Sequence, residues 1–174
     1  MLYCGGAPKS GTNLLLKALK LFGTDEVRKH HYGFYKPYPY EDKPHPQVQI
    51  IRNPRNVVIS WVRFMKLPRN DTTIIKSMDF MLDYLNDHFP CIADDRWHTV
   101  RFEELLSDPQ VLQGIGDYLG LKLIENHFEQ LWGDTVTFTG DLTKWEDWWT
   151  EEVDKAWIDK GGVELELKMG YVNT

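Results

Sequence analysis

Two cysteines in 174 residues, Cys4 and Cys91, are too few for a disulfide framework, and neither sits in a cluster with metal-ligand spacing. The expectation is a reducing compartment, the cytoplasm, with Cys4 as a buried thiol inside the first strand. No apolar run approaches the roughly 20 residues that a membrane span requires. The first strand begins almost at once, leaving no room for a signal peptide. Positive charge is not in excess: 20 Lys and Arg stand against 26 Asp and Glu, a net charge of −6. That balance speaks against a broad surface for nucleic acid or sulfated polysaccharide. Internal repeats and low-complexity tracts are missing as well. What remains fits a single domain over residues 1–174, long enough to bury a real core.

The elements alternate. A strand over about residues 2–6 precedes a helix over about 11–22, with Leu14, Leu15, Ala18, Leu19 and Phe22 on one face. Residues 26–31 read as a short strand and the Tyr- and Pro-rich stretch 33–46 as a loop. The β-branched run 48–51 is a strand, and Asn53-Pro54 opens a helix to about residue 65. After a turn at 68–71, Thr72 or Thr73 is expected to cap a long helix reaching about residue 89. A strand at 97–101 leads to helices near 109–119 and 124–132. Thr150 caps a helix that Gly161-Gly162 ends. Alternating β and α predicts an α/β three-layer sandwich, with a parallel central sheet flanked by helices and a ligand at the C-terminal ends of the strands.

The first strand breaks into Gly5-Gly6-Ala7-Pro8-Lys9-Ser10-Gly11-Thr12-Asn13 before an apolar helix. Glycines let the backbone turn sharply and approach an anion, and the N–H groups of a helix N-terminus point at it. Lys9 adds a full charge. Walker A order is absent, because that pattern places Lys and Ser/Thr directly after its second glycine. Farther on, Arg52 leaves the strand 48–51, and Ser60 follows eight residues later, about two helical turns into the next helix. Arg28-Lys29-His30-His31, Arg52, Arg55 and Arg63 all lie in the first 65 residues.

Pro8-Lys9-Ser10-Gly11-Thr12 resembles the 5′-phosphosulfate loop of sulfotransferases that use 3′-phosphoadenosine 5′-phosphosulfate (PAPS). Arg52-Asn53-Pro54-Arg55-Asn56 with Ser60 is similar to that family's 3′-phosphate site, where an arginine forks onto the phosphate and a serine reaches it from the helix. Phe102-Glu103-Glu104-Leu105 resembles a segment whose aromatic residue helps hold adenine in some members; a core phenylalanine ending a strand is the competing reading. Gly140 and Trp145 match a lid over the 3′-phosphate, but the family's Arg-Lys pair is missing and Lys144 stands only nearby. The resemblance implies a P-loop-like fold and cofactor contacts from Pro8, Lys9, Ser10, Gly11, Thr12, Asn13, Arg52, Ser60, Phe102, Gly140 and Lys144. The chain is short for this family, so its acceptor region is the less defined half.

The implied activity is transfer of a sulfuryl group from PAPS to a hydroxyl or amine of a small-molecule or glycan acceptor, releasing 3′-phosphoadenosine 5′-phosphate (PAP). Lys9 and the loop amides would meet charge growing on the bridging oxygen of the leaving 5′-phosphate. A sulfuryl group carries less charge than a phosphoryl dianion, and no acidic metal motif follows a strand, so no metal is expected. The acceptor must lose a proton. Many members use a histidine in Lys-x-His, 22 residues before the phosphate-binding arginine. His30 has that spacing to Arg52, while His31 keeps the literal Lys29-x-His31 pattern. Glu26 or Asp25 is the carboxylate alternative. Two other readings remain open: a module that binds PAPS or PAP without turnover, and a P-loop kinase-like phosphotransferase.

Overall fold

The computed structural model describes residues 2–24, 26–31, 47–93, 95–124 and 144–171. In chain order these form β1 Leu2–Gly6, α1 Thr12–Lys20, β2 Val27–His31, β3 Gln47–Ile51, α2 Pro54–Phe64, α3 Asp71–Asp87 and α4 Phe89–Ile92. Then come β4 His98–Arg101, α5 Phe102–Ser107, α6 Gln110–Leu119, a 3-10 turn at Trp145–Trp148, α7 Glu151–Asp159 and α8 Gly162–Lys168. The chain divides into two compact units. One comprises Met1–Arg52 with Asp94–Asp141; the other comprises Asn53–Ala93 with Leu142–Thr174.

The first unit holds the sheet: four parallel strands in the order β2-β1-β3-β4. This is the α/β fold with a parallel sheet and flanking helices that the alternation predicts. Register is specified by burial. Cys4, Val48, Ile50 and Val100 leave the sheet for a core completed by Leu14, Leu15, Ala18 and Leu19 of α1 and by Leu105, Leu112 and Ile115 of α5 and α6. Cys4 is buried and unbridged, and burial pushes its thiol up to about 12, so it is an inert core residue. His31 pairs with Gly6, the last residue of β1, so β2 runs alongside β1 to the edge of the loop.

The second unit is helical. Asn53 caps α2, its side chain accepting from the N–H groups of Arg55 and Asn56, with Pro54 in the first turn. Ile74, Met78, Met81 and Leu85 of α3 are buried, as are Val153 and Trp157 of α7 and Leu165 of α8.

Several element boundaries differ from the sequence expectation. The cap of α3 is Asn70, not Thr72 or Thr73: its Oδ1 accepts from the Thr73 N–H at 2.9 Å, which puts Thr73 inside the first turn. Phe102–Ser107 forms α5 directly after β4, a strand-to-helix step of the kind the resemblance implies. Gly161-Gly162 ends α7 at Asp159 as expected, and also opens the next helix. Gly161, at φ 79°, caps α8, and Gly162 lies so close to the Trp157 ring that a Cβ would come within 2.2 Å of it. The expected loop at 33–46 and helix at 124–132 fall outside the described residues, apart from Ile124. No helix among the described residues is long and apolar enough to cross a membrane.

Candidate functional site

The loop between β1 and α1 is built to bring backbone close to something. Ser10 closes it, its hydroxyl donating to the Ala7 carbonyl at 2.7 Å and its N–H to the same oxygen at 3.2 Å. The loop then folds over Gly6, where a Cβ would lie 2.6 Å from Ser10 Oγ and 2.7 Å from the Ile50 carbonyl oxygen. Gly11 sits at φ 107° and serves as the N-cap of α1 without a side-chain cap. The first turn of α1 holds no acidic residue, while Lys17 and Lys20 occupy its last turn. The positive pole of this helix therefore faces the loop with its backbone donors uncapped by any side chain.

Lys9 adopts φ 68°, a left-handed backbone in a residue that rarely visits it. Such strain persists where surrounding structure over-determines it, commonly at ligand sites. Its ammonium is half-buried. Burial, and secondly the neighbouring charge of Arg52, lower its pKa below the ordinary 10.5. Arg52 follows β3 directly, is 8% exposed, and donates from Nη1 to the Lys9 carbonyl at 3.3 Å. Its guanidinium lies over the Phe102 ring, 4.2 Å from the centroid. Phe102, Arg52, Lys9 and the glycine loop thus meet in one place. Lys29 of β2 joins from the side, its Nζ donating to Asn13 Oδ1 at 2.6 Å in the first turn of α1. An arrangement of two adjacent cations, a helix N-terminus and a glycine-cradled backbone is chemically suited to an anion carrying more than one charge.

The remaining sequence candidates lie elsewhere or beyond the described residues. Pro8 is buried in the loop, and Thr12 is buried as the first residue of α1. Ser60 sits half-buried on α2 in the helical unit. Lys144 is exposed, just before the turn Trp145–Trp148. Gly140 and Asp25 fall outside the described residues. The backbones of His30 and His31 belong to β2, but their side chains are outside the description, and Glu26 is exposed beside the strand. His88 is buried, with Nδ1 2.6 Å from the Tyr84 carbonyl and its ring stacked on Tyr84, a structural role. Among the described residues no group of three or more His, Cys, Asp or Glu could hold a metal ion.

One member of the basic cluster has a role the sequence did not separate from the others. Arg55, 6% exposed, donates from Nε to Glu166 Oε1 at 3.0 Å and from Nη1 to Asp154 Oδ1 at 2.8 Å. Trp145, Trp149 and Trp157 surround its guanidinium at 4.4, 5.3 and 5.6 Å. Trp157 Nε1 donates to the other oxygen of Glu166, and Trp149 Nε1 to Asp154. Asn56 accepts from the Trp145 N–H, tying the turn to α2. The density of tryptophan in 145–157 was the only sequence signal for this cluster.

No family model and no curated protein matches this chain. Among solved structures it is similar to the crystal structure of the mouse sulfotransferase SULT7A1 complexed with PAP. The TM-score is 0.65 at 14% identity, over 98% of this chain and 85% of that one. At that identity the two share an α/β fold.

Proposed function

We propose that the protein transfers a sulfuryl group from PAPS to a hydroxyl or amine of an acceptor, releasing PAP. The observation that carries this reading is the convergence of Lys9 and Arg52 on one glycine loop at the N-terminus of α1. Two cations that raise each other's electrostatic cost become stabilising once an anion lies between them, and PAPS brings anionic groups at both its 5′ and 3′ positions. The fold shared with a PAP-complexed sulfotransferase supports the same choice.

In this reading the loop residues Pro8, Lys9, Ser10, Gly11, Thr12 and Asn13 bind the 5′-phosphosulfate. Ser10 contributes its backbone, since its hydroxyl already closes the loop. Arg52 takes the 3′-phosphate, and the sequence resemblance adds Ser60, Gly140 and Lys144 to the residues for that group. The acceptor oxygen forms a bond to sulfur as the bond from sulfur to the bridging 5′-phosphate oxygen breaks. Lys9 and the α1 amides stabilise the charge that collects on that oxygen. The acceptor proton passes to a histidine of β2. His31 is preferred over His30 because its register partner is Gly6 and it stands in step with Lys29, which reaches Asn13.

The test is transfer of labelled sulfate from PAPS to a panel of alcohols, phenols, amines and sugars. Sulfated product that disappears in the Lys9→Ala protein supports transfer. Tight PAP binding with no product from any acceptor class makes the protein a cofactor-binding module instead. Preference for ATP with magnesium over PAP in a thermal-shift comparison points to a phosphotransferase.

A further inference from the structure

Phe102 is the first residue after β4 and is 4% exposed. So little of it reaches the surface that its ring has almost nothing to offer a nucleobase. Its contacts lie within the protein. One face carries the Arg52 guanidinium at 4.2 Å, and its edge packs on the loop so closely that a Cβ at Gly11 would fall 2.4 Å from Cδ2. Arg52 in turn donates to the Lys9 carbonyl. Ring, guanidinium and loop form one continuous stack.

An arginine side chain loses rotamer entropy when it is fixed. Here it must also hold its place beside the like charge of Lys9. The face of an aromatic ring is electronegative and attracts a cation laid over it, most strongly when water is excluded. A buried phenyl under Arg52 therefore supplies attraction where the neighbouring lysine supplies repulsion.

We infer that Phe102 is a positioning residue that acts through Arg52: its π face holds the guanidinium aimed for the 3′-phosphate. The inference rests on the reading of Arg52 as a 3′-phosphate ligand. It assigns the aromatic position a role through the arginine rather than through adenine. It also explains why Gly11 admits no side chain, since the ring occupies that space.

The experiment compares PAP with AMP, which lacks the 3′-phosphate, by calorimetric titration of the full chain. The native protein is expected to prefer PAP. Phe102→Leu keeps apolar bulk but removes the ring, and should weaken PAP about 3- to 30-fold while leaving AMP affinity unchanged. Pentafluorophenylalanine at position 102 keeps the shape of the ring and inverts its electrostatics, so it should reproduce that selective loss even if the Leu protein folds poorly. Phe102→Tyr, which retains the ring face, should restore the native PAP-to-AMP ratio. A native ratio in both the Leu and the fluorinated proteins overturns the inference, as does an equal loss for both nucleotides, which marks a purely structural residue. If the native protein itself binds PAP and AMP alike, the 3′-phosphate reading fails first and this inference falls with it.

Discussion

Arg52 and Arg55 stand three residues apart in the sequence, and both are buried, yet they sit in different company. Arg55 meets two carboxylates and three indoles within the helical unit, so the fold itself neutralises its charge. Arg52 lies beside Lys9 in the sheet unit, close enough to depress the lysine's pKa. It donates to the Lys9 carbonyl, and its guanidinium lies over the Phe102 ring. A buried charge matched inside the fold is a structural device. A buried charge set next to another of the same sign is an arrangement that an external anion would relieve. On the proposed function, the contrast divides a basic motif into one residue for stability and one for binding.

The largest effect should come from breaking the matched side. Arg55→Ala leaves the buried Glu166 carboxylate uncompensated, a change that costs about 3–5 kcal/mol of stability. Chemical denaturation followed by tryptophan fluorescence measures it, and a loss under 1 kcal/mol would show that the pair is not structural. On the other side, Lys9→Gly removes the charge and also relieves the left-handed backbone. Turnover should fall about 10²–10³-fold while the melting temperature holds or rises. A Lys9→Gly enzyme with native turnover contradicts the catalytic role. Arg52→Ala comes next. It should erase about 1.5–3 kcal/mol of preference for PAP over ADP with little change in stability, the reverse of the Arg55 result.

The smallest effect is a proton. In the ligand-free fold Lys9 loses its proton below 10.5, so across that window the unfolded chain binds more protons and stability rises with pH. Charged Lys9 therefore costs stability below the window. An anion seated beside it reverses the preference, so PAP binding there should take up protons, and affinity should fall as pH approaches 10.5. Titrations in buffers of different ionisation heat read that uptake. It should vanish in Lys9→Met.

Much of the sheet unit, and the start of the helical one, was legible from the chain. Gly5-Gly6 and Gly11 around Lys9 named the loop, the run Val48-Gln49-Ile50-Ile51 named the strand before Arg52, and Asn53-Pro54 named the start of α2. These signals are local, because turns and caps are set by neighbours a few residues away. The difference between Arg52 and Arg55 was not legible. Glu166 lies 111 residues beyond Arg55, and no local pattern reports a partner at that distance. Phe102 was ambiguous for the same reason: an aromatic after a strand reads alike whether its face meets a nucleobase or an arginine from another strand. Gly161-Gly162 read correctly as the end of α7, but the same glycine at positive φ also opens α8, a second use that a local pattern does not reveal. Thr72 and Thr73 misled because Asn70, two and three residues earlier, caps at least as well.

On the proposed function, Arg52 and Lys9 form a site for a nucleotide phosphorylated at both its 3′ and 5′ positions. Calorimetric titration of the native protein with PAP and with ADP, at one pH and one salt concentration, tests it most directly. The account predicts tighter binding of PAP, by about 10-fold or more, because only PAP presents a 3′-phosphate to a buried, charge-assisted donor. Equal affinity for the two nucleotides, or a preference for ADP, would contradict it.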